Sequence, residues 1–406
     1  MRRFTILGSI LVFGMGVAML GPAARSQSPA PPARRGPEEL QRLSKAAEAP
    51  GLAEPFKGVT TNGEVETGLF TLRSTEVSTE PVRKAAESFL ASLTGPQRAK
   101  TVFGVDDHEW RMWMNQSFYV RQGVSFVEMS EAQREIAFGL LGASLSARGL
   151  RLTRDIMRLN HTLAELTGDN FEEYGEWQYH ITIMGTPSAT EPWGWQLDGH
   201  HAIVNYFVLG DQVVMTPFFV GSEPVIAPSG KYKGTTILQD EQSRGLSFVN
   251  GLDEAQRKQA ILRVSKTGND ALTEAWKDNV VLDYAGVRAT SLTEAQRLQL
   301  VDLIEQYVGN MGDGHARVRM EEVKAQLDRT WFAWIGATAP GSVFYYRIHS
   351  PVILIEFDHQ RPVALRHLSD PNLPNREHIH AVVRTPNGND YGKDLLRLHY
   401  RQHAHH

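Results

Sequence analysis

The pattern of apolar and polar residues changes twice along this chain from helix-like to strand-like, in the same order each time. Residues 88–220 and 245–390 both begin with amphipathic helical segments and continue as short apolar strands separated by turns. Strands that follow one another through short turns pair in antiparallel fashion. We therefore predict an α+β fold in which helices cover one face of an antiparallel sheet.

The predicted helices start at a recurring sequence element. A residue with a short polar side chain, in turn Thr94, Ser130, Asp253 and Thr293, is followed three positions later by Gln and then by Arg. Such a side chain accepts a hydrogen bond from the free N–H groups of the first helical turn, and a Gln at this spacing completes a capping box. The element predicts helix starts, and it assigns these glutamines to the scaffold and not to catalysis.

The two segments also match in sequence. Residues 123–134 and 286–297 both run from a Gly-Val pair to a Gln-Arg pair over the same distance, and Val213–Pro217 is similar to Val382–Pro386. We interpret the matches as an internally duplicated unit, with the two halves packed in pseudo-two-fold symmetry. The predicted organisation is a signal peptide (1–26), a Pro/Arg-rich linker (27–36), an N-terminal helix and hairpin (37–84), the first half-repeat (85–222), a connector (223–244), the second half-repeat (245–400) and a His-rich tail (401–406).

The N-terminus has the composition of an export signal. Arg2 and Arg3 precede an apolar run from Phe4 to Leu20, and small residues around Ala24 suit cleavage. This pattern predicts a secreted or periplasmic protein without a membrane anchor after cleavage. A retained membrane anchor is the alternative for the apolar run, and Arg2-Arg3 leaves the twin-arginine export route open.

Charge and cysteine content narrow the partners and cofactors. The formal net charge of −4 provides no basic excess for nucleic acid, and we expect a small-molecule substrate instead. The chain has no cysteine, which excludes disulfides and thiolate metal ligands. A metal must therefore be bound by nitrogen or oxygen ligands; zinc is the first expectation, with copper and iron as alternatives.

Histidines in the strand-like regions are the candidate metal ligands. His378 and His380 lie two residues apart in a strand, so both imidazoles can face the same side of a sheet. His349 and the Asp198–His201 segment occupy matching turns in the two halves. Hydrogen bonding of these histidines to the backbone, without metal, is the competing interpretation. The predicted ligands are His200, His201, His349, His378 and His380.

Further polar and aromatic residues are candidates for catalysis and substrate binding. Asp198 or Glu356 would act as general base or ligand, and Arg384 would hold an anionic or carbonyl group. The predicted substrate-binding residues are Trp193, Trp195, Asn387, Asn389, Asp390 and Tyr391. The alternatives are core packing for the tryptophans and a capped turn for residues 386–390.

Two long motifs carry a family resemblance. Residues 193–201 (WGWQLDGHH) and 378–392 (HIHAVVRTPNGNDYG) resemble those of a secreted bacterial family catalogued as domain of unknown function 3500. The resemblance extends from about Glu54 to Tyr400. It implies that this region is one unit, and it implies no activity or catalytic residues.

Three functions are compatible with these residues. The first is an exported metal-dependent hydrolase acting on a small carbonyl- or carboxylate-bearing substrate. The second is a copper- or iron-dependent oxidoreductase. The third is a non-catalytic envelope protein that binds a sugar or peptide in an aromatic cleft.

Overall fold

Capping boxes fix the starts of four helices in the structure, a computed structural model that describes residues 36–402. Thr94, Ser130, Asp253 and Thr293 each form a capping box with the Gln three residues later, as predicted. The glutamines also pair across helices, because the amides of Gln97 and Gln133 bond to each other, as do those of Gln256 and Gln296. The caps therefore lock each pair of helix starts together.

The helices and strands alternate in the order that the hydrophobic pattern predicts. In the described chain the helices are α1 (Pro37–Leu52), α2 (Glu80–Ser92), α3 (Gly95–Thr101), α4 (Glu131–Ser144), α5 (Ala147–Leu166), α6 (Phe171–Tyr174), α7 (Gln239–Asn250), α8 (Glu254–Ala260), α9 (Glu294–Val308), α10 (Asp313–Ala325) and α11 (Lys393–Gln402). The strands are β1 (Val102–Phe103), β2 (Val124–Ser125), β3 (Tyr179–Met184), β4 (Trp193–Gly199), β5 (Ala202–Leu209), β6 (Gln212–Val214), β7 (Phe218–Ser222), β8 (Ile261–Arg263), β9 (Val287–Arg288), β10 (Trp331–Gly336), β11 (Phe344–His349), β12 (Leu354–His359) and β13 (Ile379–Arg384).

All of these strands belong to one mostly antiparallel sheet. Its order is β1-β3-β4-β5-β7-β13-β12-β11-β10-β8, with β2, β6 and β9 attached beside β3, β5 and β10. The pairings β1–β3 and β8–β10 are parallel. At the centre β7 and β13 are antiparallel, and His380 lies opposite Gly221. The α+β fold class with a large, mostly antiparallel sheet is confirmed.

The two faces of the sheet carry different side chains because successive residues of a strand point to opposite sides. On one face, apolar residues such as Ile379, Ala381 and Val383 join a core that includes residues of helices α2, α4, α5, α7, α9 and α10. The other face includes Val382 and Phe219, which belong to a second apolar cluster together with Trp110 and Tyr391 from outside the sheet. Polar residues of β12 and β13 alternate onto this second face, so the candidate site lies there.

Two local predictions were wrong. The hairpin expected within residues 37–84, with Asn62-Gly63 as its turn, does not form: Thr60 pairs with Val281 in an isolated parallel bridge, and the Asn62 side chain accepts a hydrogen bond from Glu64 N. The similarity of Val213–Pro217 to Val382–Pro386 does not reflect equivalent places in the sheet. Only residues 212–214 form a strand there, and the unpredicted β7, rather than β6, lies beside β13.

Several predictions about the ends of the chain concern residues outside the described range. They are the signal peptide, the linker up to residue 35 and the tail from residue 403. In the described part of the chain, no helix is both long and apolar enough to cross a membrane.

Candidate functional site

Three of the predicted histidines meet where the central strands begin and end. His378 and His380 lie at the start of β13, two residues apart, so both side chains are on the same face of the sheet. His201 comes from the two-residue turn between β4 and β5, in which its φ of 64° is left-handed, a region where histidine is enriched among non-glycine residues. Hydrogen bonds from Tyr179 Oη to His200 O and from Gly221 N to His201 O hold this turn.

The three imidazoles point the same atom at a common centre. Nε2 of His201 lies 3.3 Å from Nε2 of His378 and 3.1 Å from Nε2 of His380, and the last pair is 3.0 Å apart. Zn–N bonds of about 2.0–2.1 Å at tetrahedral angles separate ligand nitrogens by about 3.3 Å. The spacing therefore fits three ligands of one ion, and within residues 36–402 this buried group, the histidine triad, could hold a metal.

Hydrogen bonds at Nδ1 fix the tautomers of two members of the triad, His378 and His380. His378 Nδ1 lies 2.7 Å from Arg361 O, and a carbonyl oxygen only accepts, so Nδ1 carries the proton. His380 Nδ1 lies 2.7 Å from a carboxylate oxygen of Glu274 and donates likewise. In the neutral rings both Nε2 atoms then carry lone pairs that face each other, an arrangement favourable only with a shared cation or proton between them.

Burial opposes a shared proton. It lowers the pKa of His378 to about 4, although Glu223 acts in the opposite direction. Burial also lowers the pKa of His201 well below its usual value, and the neighbouring His200 and His380 reinforce the shift. Neutral imidazole is the form that binds metal, so the environment favours the ligand form of these side chains.

Gly221 provides the space in which the rings approach. A Cβ at this position would lie 2.5 Å from Ile379 O and 3.2 Å from the Cδ2 atoms of both His201 and His380. Any larger residue would displace the backbone of β13 or the rings themselves. The glycine is therefore part of the architecture of the triad.

Glu274 lies on the segment that covers the triad, and sequence reasoning missed it. Its side chain is 24% exposed, whereas the three histidines of the triad are buried. Burial opposes ionisation of the carboxyl, but His380 and the hydrogen bond between them lower its pKa overall. The residue lies in a loop without hydrophobic periodicity, so no pattern in the sequence connects it with His380.

Glu274→Ala is expected to weaken zinc binding about 10- to 100-fold, because outer partners orient a ligand histidine and raise its basicity. Glu274→Gln keeps an acceptor oxygen without the charge and should lose less. A competition titration with a chromophoric chelator measures both affinities. Glu321→Gln, on an exposed residue of α10, is the control; an unchanged affinity in Glu274→Ala would contradict this role.

Two residues predicted to be catalytic hold the Glu274 segment in place. Glu356 accepts hydrogen bonds from Leu272 N, from Thr273 N and Oγ1, and from Tyr345 Oη. Arg384 is fully buried and donates from Nε to Thr273 O and from Nη2 to Glu274 O. The hydrogen bonds of Glu356 and Arg384 therefore position the segment that carries Glu274.

Asp198 and His200 lie next to the triad without joining it. Asp198 is buried in an ion pair with Arg121 at 3.1 Å, and burial raises its pKa to about 6 against the attraction of Arg121. His200 directs Nδ1 to the side-chain oxygen of Asn160 at 2.8 Å, and its ring packs on His201. His200 precedes the left-handed His201 in the turn, and its imidazole therefore points away from the common centre of the triad.

His349 is at the other end of the second face. In the sheet it pairs with Trp331 and Leu354, whereas His380 pairs with Asp358 at the far end of β12. His349 therefore lies apart from the Asp198–His201 turn, a point that the matching turns in the sequence left open. The matching turns lie in separate parts of the sheet.

The predicted substrate-binding residues are buried in the fold. Trp193 and Trp195 are fully buried core residues, and Trp195 stacks on Tyr206. The others connect segments of the chain, through Asn387 to Glu66 N and Pro351 O, Asn389 to Leu395 N, Asp390 to Thr385 N and Arg384, and Tyr391 to Asp278 and Trp113. The structure brings none of these six to the triad.

The fold and the triad together define a candidate mononuclear metal centre on an α+β scaffold. The profile of the family described as "Protein of unknown function (DUF3500)" matches residues 75–393, so the chain belongs to this family. The family resemblance seen in the sequence is confirmed. No curated protein matches the chain, and no solved structure does.

Proposed function

We propose that this chain is an exported metal-dependent enzyme, most simply a zinc hydrolase acting on a small carbonyl- or carboxylate-bearing substrate. One observation carries the proposal: the Nε2 lone pairs of His378 and His380 face each other at 3.0 Å, with His201 Nε2 beside them. A divalent cation is the ligand that this arrangement suits best.

The ligand set favours hydrolytic chemistry. When bound by three neutral nitrogens, a zinc ion keeps its full charge, polarises a carbonyl oxygen and lowers the pKa of a water ligand. The triad would supply three ligands to such an ion, and a fourth position would remain for water or substrate, as in catalytic zinc sites. Glu274 holds His380 in the ligand tautomer, and its own side chain is partly exposed.

The second candidate is a copper- or iron-dependent oxidoreductase. An all-nitrogen ligand set also suits these metals, and the three histidines alone do not select between them. A non-catalytic protein with an aromatic cleft receives less support, because Trp193 and Trp195 have no exposed surface for a sugar or peptide.

Elemental analysis of the chain without residues 403–406 tests the proposal, since the tail histidines cannot then trap metal. About one equivalent of zinc, together with metal-dependent hydrolysis of simple esters or amides, is the expected result. Copper or iron with oxidase activity would support the second candidate. Absence of bound metal after reconstitution with each ion would overturn both.

We also propose that the chain arose by internal duplication and that it is exported. Counted outward from β7 and β13, the strand orders β5-β4-β3-β1 and β12-β11-β10-β8 mirror each other, which supports an internal duplication with pseudo-two-fold symmetry. The paired capping boxes at equivalent positions support it as well. Export rests on the basic and apolar residues at the N-terminus.

A further inference from the structure

Arg347 is a buried cation that lacks an ion pair within residues 36–402. Its side chain is on the second face of the sheet, the residue is 5% exposed, and its hydrogen bonding is limited to one contact, from Nη2 to Asp283 O at 3.2 Å. Nε is buried without an acceptor. Other buried arginines differ, because Arg111 and Arg384 both pair with Asp278. An unpaired buried charge is strongly unfavourable, so a counter-ion is expected.

The nearest cross-strand carboxylate is already committed elsewhere. Glu356 lies opposite Arg347 in the β11–β12 register, but its oxygens accept hydrogen bonds from Leu272, Thr273 and Tyr345. Glu356 and Arg347 are therefore neighbours in the sheet, but their side chains form no ion pair. The guanidinium remains available for an acceptor from outside the chain.

A second unsatisfied donor lies two residues further along the same strand. His349 is 1% exposed, and neither of its ring nitrogens has a hydrogen-bond partner. Burial, reinforced by Arg347, lowers its pKa to about 3, so the ring is neutral and carries one N–H. Residues i and i+2 of a strand share a face, which places this donor beside the guanidinium.

An aromatic pair, Tyr284 and Trp331, lies beside His349. The ring of Tyr284 lies 4.6 Å from that of His349 and stacks on Trp331 at 4.0 Å. Both aromatic residues are only partly buried, and Asp283, the residue before Tyr284, provides the carbonyl that holds Arg347. Displacement of one of these partly buried rings would give a small molecule access to the two donors.

We propose that Arg347 and His349 form a binding site for a small oxyanion, either a carboxylate or inorganic phosphate, beneath the Tyr284–Trp331 stack. Arg347 supplies the charge and charge-assisted hydrogen bonds, and His349 supplies a second donor to another oxygen. The site is distinct from the histidine triad, because His349 and His380 lie toward opposite ends of β12. It does not depend on the proposed hydrolase activity.

Thermal denaturation of the full chain in Tris chloride, with acetate or phosphate added at constant ionic strength, tests the site. The melting temperature of the wild type should rise with the concentration of at least one anion, because the anion binds the folded state. Arg347→Met keeps the length of the side chain but not its charge. It should abolish the rise and weaken binding measured by calorimetry at least about tenfold.

Controls separate this site from other sources of the same response. Arg288→Met removes an exposed guanidinium 4.9 Å above the Trp331 ring and should leave the anion response intact. Without added anion, Arg347→Met should melt no lower than the wild type. A response to acetate alone identifies a carboxylate site, and a response to phosphate alone identifies a phosphate site.

Three outcomes would overturn the proposal. One is no response to either anion. Another is a response that survives in Arg347→Met but disappears in His380→Ala, which would assign it to the histidine triad. The third is an Arg347→Met protein that melts well below the wild type in the absence of anion, because Arg347 would then be needed for its bond to Asp283.

Discussion

His380→Ala should lose zinc under conditions in which the wild type binds one equivalent. Structural zinc sites with four ligands provide roughly 10–16 kcal/mol, so each ligand contributes about 3 kcal/mol and its removal weakens binding on the order of 10²- to 10³-fold. His380 also contacts both other triad nitrogens, at 3.0 and 3.1 Å. Its loss therefore leaves two histidines and an uncommitted Glu274.

The measurement is elemental analysis after dialysis against a weak chelator, followed by a competition titration. The matched control is His349→Ala, which removes another buried histidine from the same face of the sheet, away from the triad. It should retain one equivalent of metal. Full metal content in His380→Ala, or loss in His349→Ala, would show that the triad is not the binding site.

Arg384→Met should destabilise the fold by about 3–5 kcal/mol at neutral pH, because breaking a buried ion pair strands the remaining charges. Arg384 Nη1 lies 2.7 Å from Asp278 and 3.2 Å from Asp390, and all three side chains are buried. Without Arg384 the Glu274 segment also loses two hydrogen bonds, so metal affinity should fall as well.

The loss of stability in Arg384→Met should depend on pH. Burial raises the pKa of Asp390 to about 6 although Arg384 opposes the shift, so in the variant the pKa rises further above its unfolded value of 3.8. The folded variant then takes up this proton at a higher pH than the folded wild type does, and protonation relieves the stranded charge. The gap to the wild type should therefore narrow as the pH falls from 7 through the wild-type pKa of about 6, with little further change below about pH 5.

Urea denaturation at pH 7 and pH 5 measures this difference. Arg317→Met, on an exposed residue of α10, is the control and should change stability by less than about 0.5 kcal/mol. Equal losses at both pH values would mean that the cost of Arg384→Met comes from lost packing and not from the stranded carboxylates.

Local interactions made much of the fold predictable. A capping box involves residues three positions apart, so Thr94, Ser130, Asp253 and Thr293 identify helix starts without any knowledge of the tertiary structure. The position of His378 and His380 on the same face of the sheet likewise follows from their spacing within one strand. These features depend on distances along the chain that the sequence displays directly.

The composition of the candidate site depended on contacts that the sequence does not display. His201 reaches the triad because β7 pairs with β13, a contact between segments about 160 residues apart, and because its own backbone is left-handed. His349 was included on the assumption that matching turns converge. Arg384 was assigned to substrate because its partners, Asp278 and the 273–274 carbonyls, lie more than 100 residues away in an irregular segment.

Because the triad lies at the central β7–β13 pair, a metal ion bound there would also link distant segments of the chain. His201 and His378 are 177 residues apart, and they approach each other from the two sides of this pair. An ion bound between them would act as a cross-link that closes a long loop, and such links reduce the entropy of the unfolded chain more as the loop lengthens. Two separately expressed fragments, 37–230 and 231–402, should therefore associate more tightly when zinc is present.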